Sequence, residues 1–573
     1  MQGFLSLPEI VQRHATARPD AYAVIMDAGP TAPCLTLSYG SLYARSATLA
    51  KELQTRLSPG DRALLLFPAS LEFVVSYFAC LMADIVAVPL MPPRRNSSHD
   101  ASAAIIADCQ PRLALTLPED ALPGTMLRAR LEEARVPQIG VGSSSELAQS
   151  PSLEKGRSDI AFLQYTSGST SLPKGVMVSH GNLVDNLEMI RARLGNHAGS
   201  THVGWIPHYH DMGLIMNLLQ PIYLGARSVI MKPAGFMLRP LNWLRAIQNH
   251  EAEVAAAPNF AYDLCVERFR PDQMEGVDLS GWKVAVNGAE PVRAATLARF
   301  AKTFAPYGFD ANAMQPSYGL AEATLMVTSA GRGAPVRKRT VSAAGLHRGL
   351  ITNPERTDDA REIVGCGSPV DGVSVAIVNP DTLAKAQPAE IGEIWVQGNS
   401  VAQGYWCRPQ ESASVFEAQI KSLFADEALQ KGNWLRTGDL GHLDDDGELY
   451  VIGRMKDLLI IRGVNHYPQD IEMTVAESHP ALPRDHGAVF GFIDEGGTER
   501  VVVVHEVARS QRRTASRDII AAVRAAVVHN HDLAFHEVVL VQPGSIPKTT
   551  SGKIQRSLTR QRWVDKTLEL WAD

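Results

Sequence analysis

Apolar and polar positions alternate along this chain in blocks with a strand–helix–strand rhythm. Residues 62–67 form a short apolar run, residues 70–83 carry helical spacing, and residues 85–90 are apolar again. That order predicts a βαβ unit and therefore parallel sheet. The rhythm recurs. Residues 201–206 are strand-like, 214–224 helical and 228–231 strand-like; 243–250 are helical; 254–257 lead into Pro258; and 282–287 form an apolar strand ending at Gly288. The expected body is a doubly wound α/β structure with more than one sheet. Residues 331–362 are polar and the most loop-like part of the interior. From about residue 392 the strands shorten, with 393–397 and 449–452 the clearest and 444–447 a turn between strands. A separate C-terminal module is expected from near Met455, with a strand at 501–507, a helix at 516–529 and a strand at 538–542.

Composition narrows this little. The chain has 573 residues, 45% hydrophobic and 20% charged, which excludes disorder, collagen and coiled coil as descriptions of the whole. Its net charge of −6 gives no global basic field for nucleic acid or anionic lipid. The six cysteines are scattered without a CxxC pair, so neither a disulfide framework nor a structural zinc is expected, and a reducing, cytoplasmic location fits better. Residues 1–20 lack the pattern of a secretory leader. The best membrane candidate, 73–91, contains Asp84 and Pro89 and is expected to be a buried helix running into a buried strand, not an insertion into lipid.

The strongest local chemistry is residues 165–175, Tyr165-Thr166-Ser167-Gly168-Ser169-Thr170-Ser171-Leu172-Pro173-Lys174-Gly175. It follows an apolar strand and precedes a helix-like segment at 182–194. Small hydroxylated residues and glycines let backbone N–H groups wrap phosphate oxygens, and Lys174 adds a point charge. It is not a Walker loop. Phosphate binding is the better reading over a plain surface loop. Asn287-Gly288-Ala289-Glu290 ends a strand where α/β sheets place ligands; a strand-end turn is an equal reading. Tyr318-Gly319 followed by Glu322 offers a ring for a purine and a carboxylate for Mg²⁺, or only a helix start. Asp439 could accept from ribose hydroxyls, or sit on a plain turn. Residues 453–465, with Arg454, Lys456 and Asp457, suit a hinge or a linker. Lys553 lies on a Gly/Ser/Thr loop whose functional reading needs a partner elsewhere. His208, His210 and Asp211 could be a metal triplet, but a pocket wall is favoured; His529, His531 and His536 are best read as surface histidines.

In this order, these segments resemble the adenylate-forming superfamily of acyl-CoA synthetases, luciferases and peptide-synthetase adenylation domains, and the resemblance covers nearly the whole chain. Phe162-Leu163-Gln164, residues 205–214, 318–325 and 465–472, and Val86 to Leu90 resemble fatty acyl-AMP ligases more closely. The resemblance implies a large N-terminal body, residues 1–455, of doubly wound sheets plus a small β-barrel-like subdomain. It also implies a small mobile α+β C-terminal domain, 456–573, that carries Lys553 and pivots near Lys456. A ligase-specific insert is expected at about 336–364. The implied activity is activation of a fatty acid by ATP to an acyl-adenylate, with pyrophosphate released, then acyl transfer to a separate acyl carrier protein. A fatty acyl-CoA ligase is the alternative, and a non-catalytic acyl or nucleotide sensor a remoter one.

The implied cofactors are ATP and Mg²⁺. Lys553, Glu322 and His210 are the catalytic candidates, with His210 near the substrate carboxylate. Thr166, Ser167, Gly168, Ser169, Thr170 and Lys174 would hold phosphates, and Asn287, Gly288, Ala289, Tyr318 and Gly319 would frame adenine. Asp439 with Arg454 would hold ribose, and Glu322 with Thr170 would hold the metal. Arg509, Arg512, Arg513 and Arg517 are candidates for a basic patch facing an acidic carrier protein.

Overall fold

The computed structural model describes residues 3–29, 33–91, 102–118, 126–142, 151–166, 173–421, 432–461, 464–494, 499–511, 514–531, 533–549 and 552–571. Two mostly parallel sheets form the body. The larger has nine strands. Its middle runs Met314–Gly319, Val284–Gly288, Val254–Pro258, His202–Gly204, Ser228–Met231 and Tyr22–Asp27, each parallel to the next. The smaller has six strands, parallel except where Ile160–Thr166 turns back antiparallel into Lys174–Ser179. Helices cover both faces of central strands, so these strands are uniformly apolar: every residue of Val254–Pro258 and Val284–Gly288 is buried. Behind them Trp243–Trp282 and Tyr262–Phe300 pack edge to face, with centroids 5.2 Å and 5.1 Å apart, while Tyr262 and Trp282 lie nearly parallel, both geometries favoured by the ring quadrupoles.

Two expectations change. First, residues 373–454 form an open four-stranded antiparallel sheet, Val373–Val378, Gly392–Gly398, Leu435–Leu443 and Leu449–Arg454. It does not close into a barrel: the outer strand Leu449–Arg454 instead bridges Gly365 through Tyr450. Second, the polar stretch 331–362 is not a loop. Lys338–Ser342 and Ala360–Val364 pair as a hairpin with the helix Ala343–His347 between them. A two-stranded ribbon buries little, so its sequence stays polar while Val341, Leu346 and Ile351 supply its core. The helix-like stretch after the phosphate-loop segment is the helix His180–Leu194, which the strand Lys174–Ser179 precedes.

The C-terminal region has its own core. In Glu499–Glu506 the pleat sends Val501 and Val503 to one apolar cluster and Val502 and Val504 to another, as a strand covered on both faces requires. His531, expected at the surface, is buried and bonded to Thr474 Oγ1 at 2.8 Å, whereas His529 and His536 are exposed. Among the described residues no helix is long and apolar enough to cross a membrane.

Burial holds His180, His202, His208, His505 and His531 each down to about 4. Their unfolded value is about 6.5, so between these values the unfolded chain binds more protons. Their stabilising contribution is complete above about pH 6.5 and is lost as pH falls toward 4. Burial raises Glu290 to about 7 and Asp470 to about 6; these work in the opposite direction but are outnumbered. The melting temperature should therefore fall steadily between pH 7 and pH 5. A flat or rising profile over that range would show that these rings are not held neutral.

Candidate active site

The parallel register sets the carboxyl ends of three strands side by side, Pro258 opposite Gly288 and Asn287 opposite Pro316. Ligands of open α/β sheets bind at such a crevice. Here it opens into a cleft of about 530 Å³, lined by the body and by the C-terminal region together. Two glycines permit the close approach. A Cβ on Gly288 would lie 2.8 Å from Ser317 O, and one on Gly319 would lie 1.7 Å from Leu325 O. Ala289 next to them has φ 67°, a backbone region that non-glycine residues rarely occupy and that clusters at functional sites.

Tyr318, Asp439 and Arg454 meet on one wall. The Tyr318 hydroxyl donates to Asp439 Oδ2 at 2.9 Å, and Arg454 Nε donates to Oδ1 at 3.0 Å. Asp439 and Arg454 lie opposite each other in the antiparallel pair of their strands, which is why residues fifteen apart in sequence touch. Glu393, buried behind them, accepts from Gly438 N at 3.1 Å, Arg436 Nη2 at 2.8 Å and Trp395 Nε1 at 2.9 Å, and so fixes the loop that aims Asp439.

Across the cleft, burial lifts the Glu322 carboxyl above the ordinary range. It accepts from the Tyr405 hydroxyl at 2.9 Å. Lys174 lies 4.9 Å from the Tyr405 ring centroid and pairs with Glu411. His210 Nδ1 lies 2.8 Å from Asp211 Oδ1, at the start of a π-helix, Met212–Leu219, a winding frequent at functional sites. Burial pushes the Asp211 carboxyl up, but His210, Lys553 and the Met212 N–H outweigh it and hold it low. Lys553 enters from the C-terminal region on a tight turn, Gly552 N bonding to Thr549 O at 2.9 Å. Gly552 has φ 88°, and a Cβ there would meet the Phe260 ring at 2.6 Å. Burial lowers the Lys553 ammonium, opposed by Asp211, Glu290 and Asp439.

The cleft thus collects Lys174, His210, Gly288, Ala289, Tyr318, Gly319, Glu322, Asp439, Arg454 and Lys553. Three other outcomes differ. The Asn287 side chain turns into the body, donating to Asn259 Oδ1 at 3.3 Å. His208 stacks on Phe73 with centroids 4.9 Å apart, away from His210, so the three are no metal triplet. Ser167, Gly168, Ser169, Thr170, Arg512 and Arg513 lie outside the described residues, as does the side chain of Thr166. Tyr405, Glu411 and Glu393 were not singled out from the sequence. The aromatic after Gly404 was the one local signal available, since Gly404 has φ 125°.

A family model described as AMP-binding enzyme matches residues 11–406, and one described as Disco-interacting protein 2-like, AMP domain, matches 456–573. The medium-chain-fatty-acid–[acyl-carrier-protein] ligase JamA of Moorena producens is 42% identical over 94% of this chain and 91% of that protein. The long-chain-fatty-acid–AMP ligase FadD26 of Mycobacterium bovis is 37% identical over 97% of both. The fatty acyl-adenylate ligase of Legionella pneumophila, solved with acyl adenylate and pyrophosphate, is 35% identical with TM-score 0.74, covering 99% of this chain and 97% of that one.

The close approach at Gly319 is testable. G319A forces a methyl group into a backbone carbonyl and should cost about 2–4 kcal/mol. G281A, where nothing lies within 4 Å, should melt close to the parent. Equal melting temperatures for the two variants would remove the packing argument.

Proposed function

The chain belongs to the AMP-binding enzyme family, in its fatty acyl-AMP ligase branch, and from this premise we propose how its residues carry out ATP-dependent activation of a fatty acid. A fatty carboxylate oxygen attacks the α-phosphorus of ATP in line, the bond to the bridging oxygen of pyrophosphate breaks, and acyl-adenylate remains. The thiol of a phosphopantetheine arm on a separate acyl carrier protein then attacks the acyl carbonyl. AMP leaves and a thioester forms. The first step brings two anions together, so it needs positive charge and fixed orientation more than covalent help.

The observation that carries this reading is the placement of the half-buried Lys553 in the same cleft as Tyr318, Glu322 and Asp439. Lys553 supplies the ammonium between carboxylate and α-phosphate. Asp439, steered by Arg454 and Tyr318, accepts from the ribose hydroxyls. Tyr318, Gly288 and Ala289 frame the adenine, with Asn287 acting from behind through Asn259. His210 lies by the carboxylate. Residues 166–170 and Lys174 hold the β- and γ-phosphates. Lys174 exchanges its Glu411 partner for phosphate when ATP enters.

Glu322 fits Mg²⁺, because it is a half-buried oxygen donor lining the cleft, with the Tyr405 hydroxyl as its side-chain partner, and hard cations take oxygen ligands. Glu322, with Thr170, would hold the ion, which when bound neutralises charge on the departing pyrophosphate. The C-terminal region, 456–573, is a mobile cap turning at Lys456. It delivers Lys553 for the first step and withdraws it for the second. The enzyme works in the cytoplasm, where its cysteines stay free.

Two outcomes test this. A panel of fatty acids with ATP and Mg²⁺ should release pyrophosphate, and acyl transfer should go to a carrier protein in preference to CoA; efficient acyl-CoA formation would replace the carrier-protein assignment. K553A should lower pyrophosphate release by about 10²–10³-fold, as loss of a transition-state charge does, while ATP binding stays within a few-fold.

The pH profile follows from the same lysine. Burial makes its ammonium easier to deprotonate than an ordinary lysine, about 10.4. Its charge is present at low pH and lost as pH rises through the lowered value. The alkaline limb of kcat/KM for adenylate formation should fall below that ordinary value, and K553R should push the limb upward. An unmoved limb in K553R assigns the limb to another group.

A further inference from the structure

Bringing Lys553 into the cleft takes charge out of water, because burial disfavours the ammonium of Lys553 and of its neighbour Lys548. Something must hold the C-terminal region in place against that cost. Among the described residues, one side-chain ion pair joins residues before 455 to residues after it: Arg293 Nη2 with Asp485 Oδ1. Among the described residues, the other side-chain ion pairs of the C-terminal region are internal. Arg556 binds Glu472 through both carboxylate oxygens at 2.7 Å and Asp457 at 3.1 Å, and these travel with the region as it turns.

Both partners are set up by their backbones. Arg293 follows the strand-end turn that carries Gly288 and Ala289 and stands at the start of the helix Ala294–Phe304. Its N–H donates to Asn259 Oδ1 at 3.2 Å, the oxygen that also holds Asn287. Asp485 sits between the helix Pro468–Ser478 and the strand Gly487–Ile493 with φ 57°, a conformation that Asp tolerates better than most residues. Burial works against the Arg293 guanidinium, and Asp485 is its largest favourable charge. Around the pair the charges are mixed: Lys548 faces Glu506 and Asp485 of its own region and Glu290 and Glu267 of the body. Asp485 also lies near Glu290, Glu267 and Asp263 and pushes their carboxyls up, so Arg293 is the charge that answers it across the boundary. The pair is directional and spans the boundary, so it exists only while the two regions are apposed as here.

We propose that the Arg293–Asp485 ion pair is the latch that selects the closed arrangement for the first half-reaction, making both residues positioning residues for Lys553. The proposal rests on the function above but reads out separately from it. A latch shifts the population of the closed state. D485N keeps the shape and removes the charge. It should lower kcat for pyrophosphate release by about tenfold or more with a smaller change in the KM for ATP. Thioester formation from added acyl-adenylate should be retained. The charge swap R293D/D485R should recover part of the loss.

Closure itself is read without chemistry. Energy transfer between dyes at the exposed Cys407 and at V564C, in a C34S background, should report a larger open fraction in D485N. Unchanged energy transfer in D485N overturns the latch. So does an equal loss of both half-reactions in a variant that melts normally. A parent chain that releases no pyrophosphate with any fatty acid overturns the function instead, and the dye distances then decide the latch alone.

Discussion

An ammonium group has to give up part of its water for this site to exist. Lys553 is half-buried in a cleft whose other walls belong to a different part of the chain, and much of the local architecture offsets the cost of that desolvation. Asp211, Glu290 and Asp439 supply opposing charge, while Gly552 lets the loop press against Phe260. A charged group without such compensation would neutralise itself. With it, the lysine keeps a proton that is lost more readily than from an ordinary lysine.

The body provides rigidity for the opposing charges. Asp211 caps a helix, Glu290 accepts from Phe260 N at 2.6 Å, and Asp439 accepts from two donors, Tyr318 and Arg454, on a loop that Glu393 fixes through Gly438. None of these carboxylates sits on a free loop. Their positions trace back to parallel strands whose register is fixed by burial on both faces, so a slip of one residue would move the cleft and the core together. The aromatic cluster behind the cleft is therefore part of the site's precision as well as the fold's stability.

Much of this was legible in the sequence for a physical reason. Strands covered on both sides are written as continuous apolar runs, so 254–257 and 282–287 announced themselves, and the glycine motifs at their ends marked where the backbone crowds. What escaped has a common cause. Edge elements bury little, so the Lys338–Ser342 hairpin looked like a loop. The β-barrel-like subdomain that the resemblance implied is, among the described residues, an open four-stranded sheet with an isolated bridge from its outer strand to Gly365, since local strand patterns do not say whether a sheet closes. His531 looked solvated because its partner, Thr474, lies on another helix. Tyr405 beside Glu322, and Asp485 opposite Arg293, are meetings across 83 and 192 positions. No local pattern encodes those distances. Asn287 was legible as important but not as inward-facing, since a strand end does not reveal which way its last side chain points.

The boundary between the two regions combines two kinds of contact with different tolerances. Met455, Leu458 and Tyr467 share an apolar cluster with Val341, Leu346 and Ile351 of the hairpin segment. Apolar contacts are non-directional and scale with area, so this cluster can slide or repack over modest displacements at little cost. Gln469 Nε2 also donates to Ile452 O at 3.1 Å, four residues before the proposed pivot at Lys456, where a rotation about that pivot would displace the acceptor little. The Arg293–Asp485 pair is far from that pivot in sequence and demands both direction and distance. An apolar seam near the axis with a polar contact away from it is an arrangement in which one interaction decides the angle while the rest merely permit it. That is why a boundary rich in buried apolar residues need not be a rigid one.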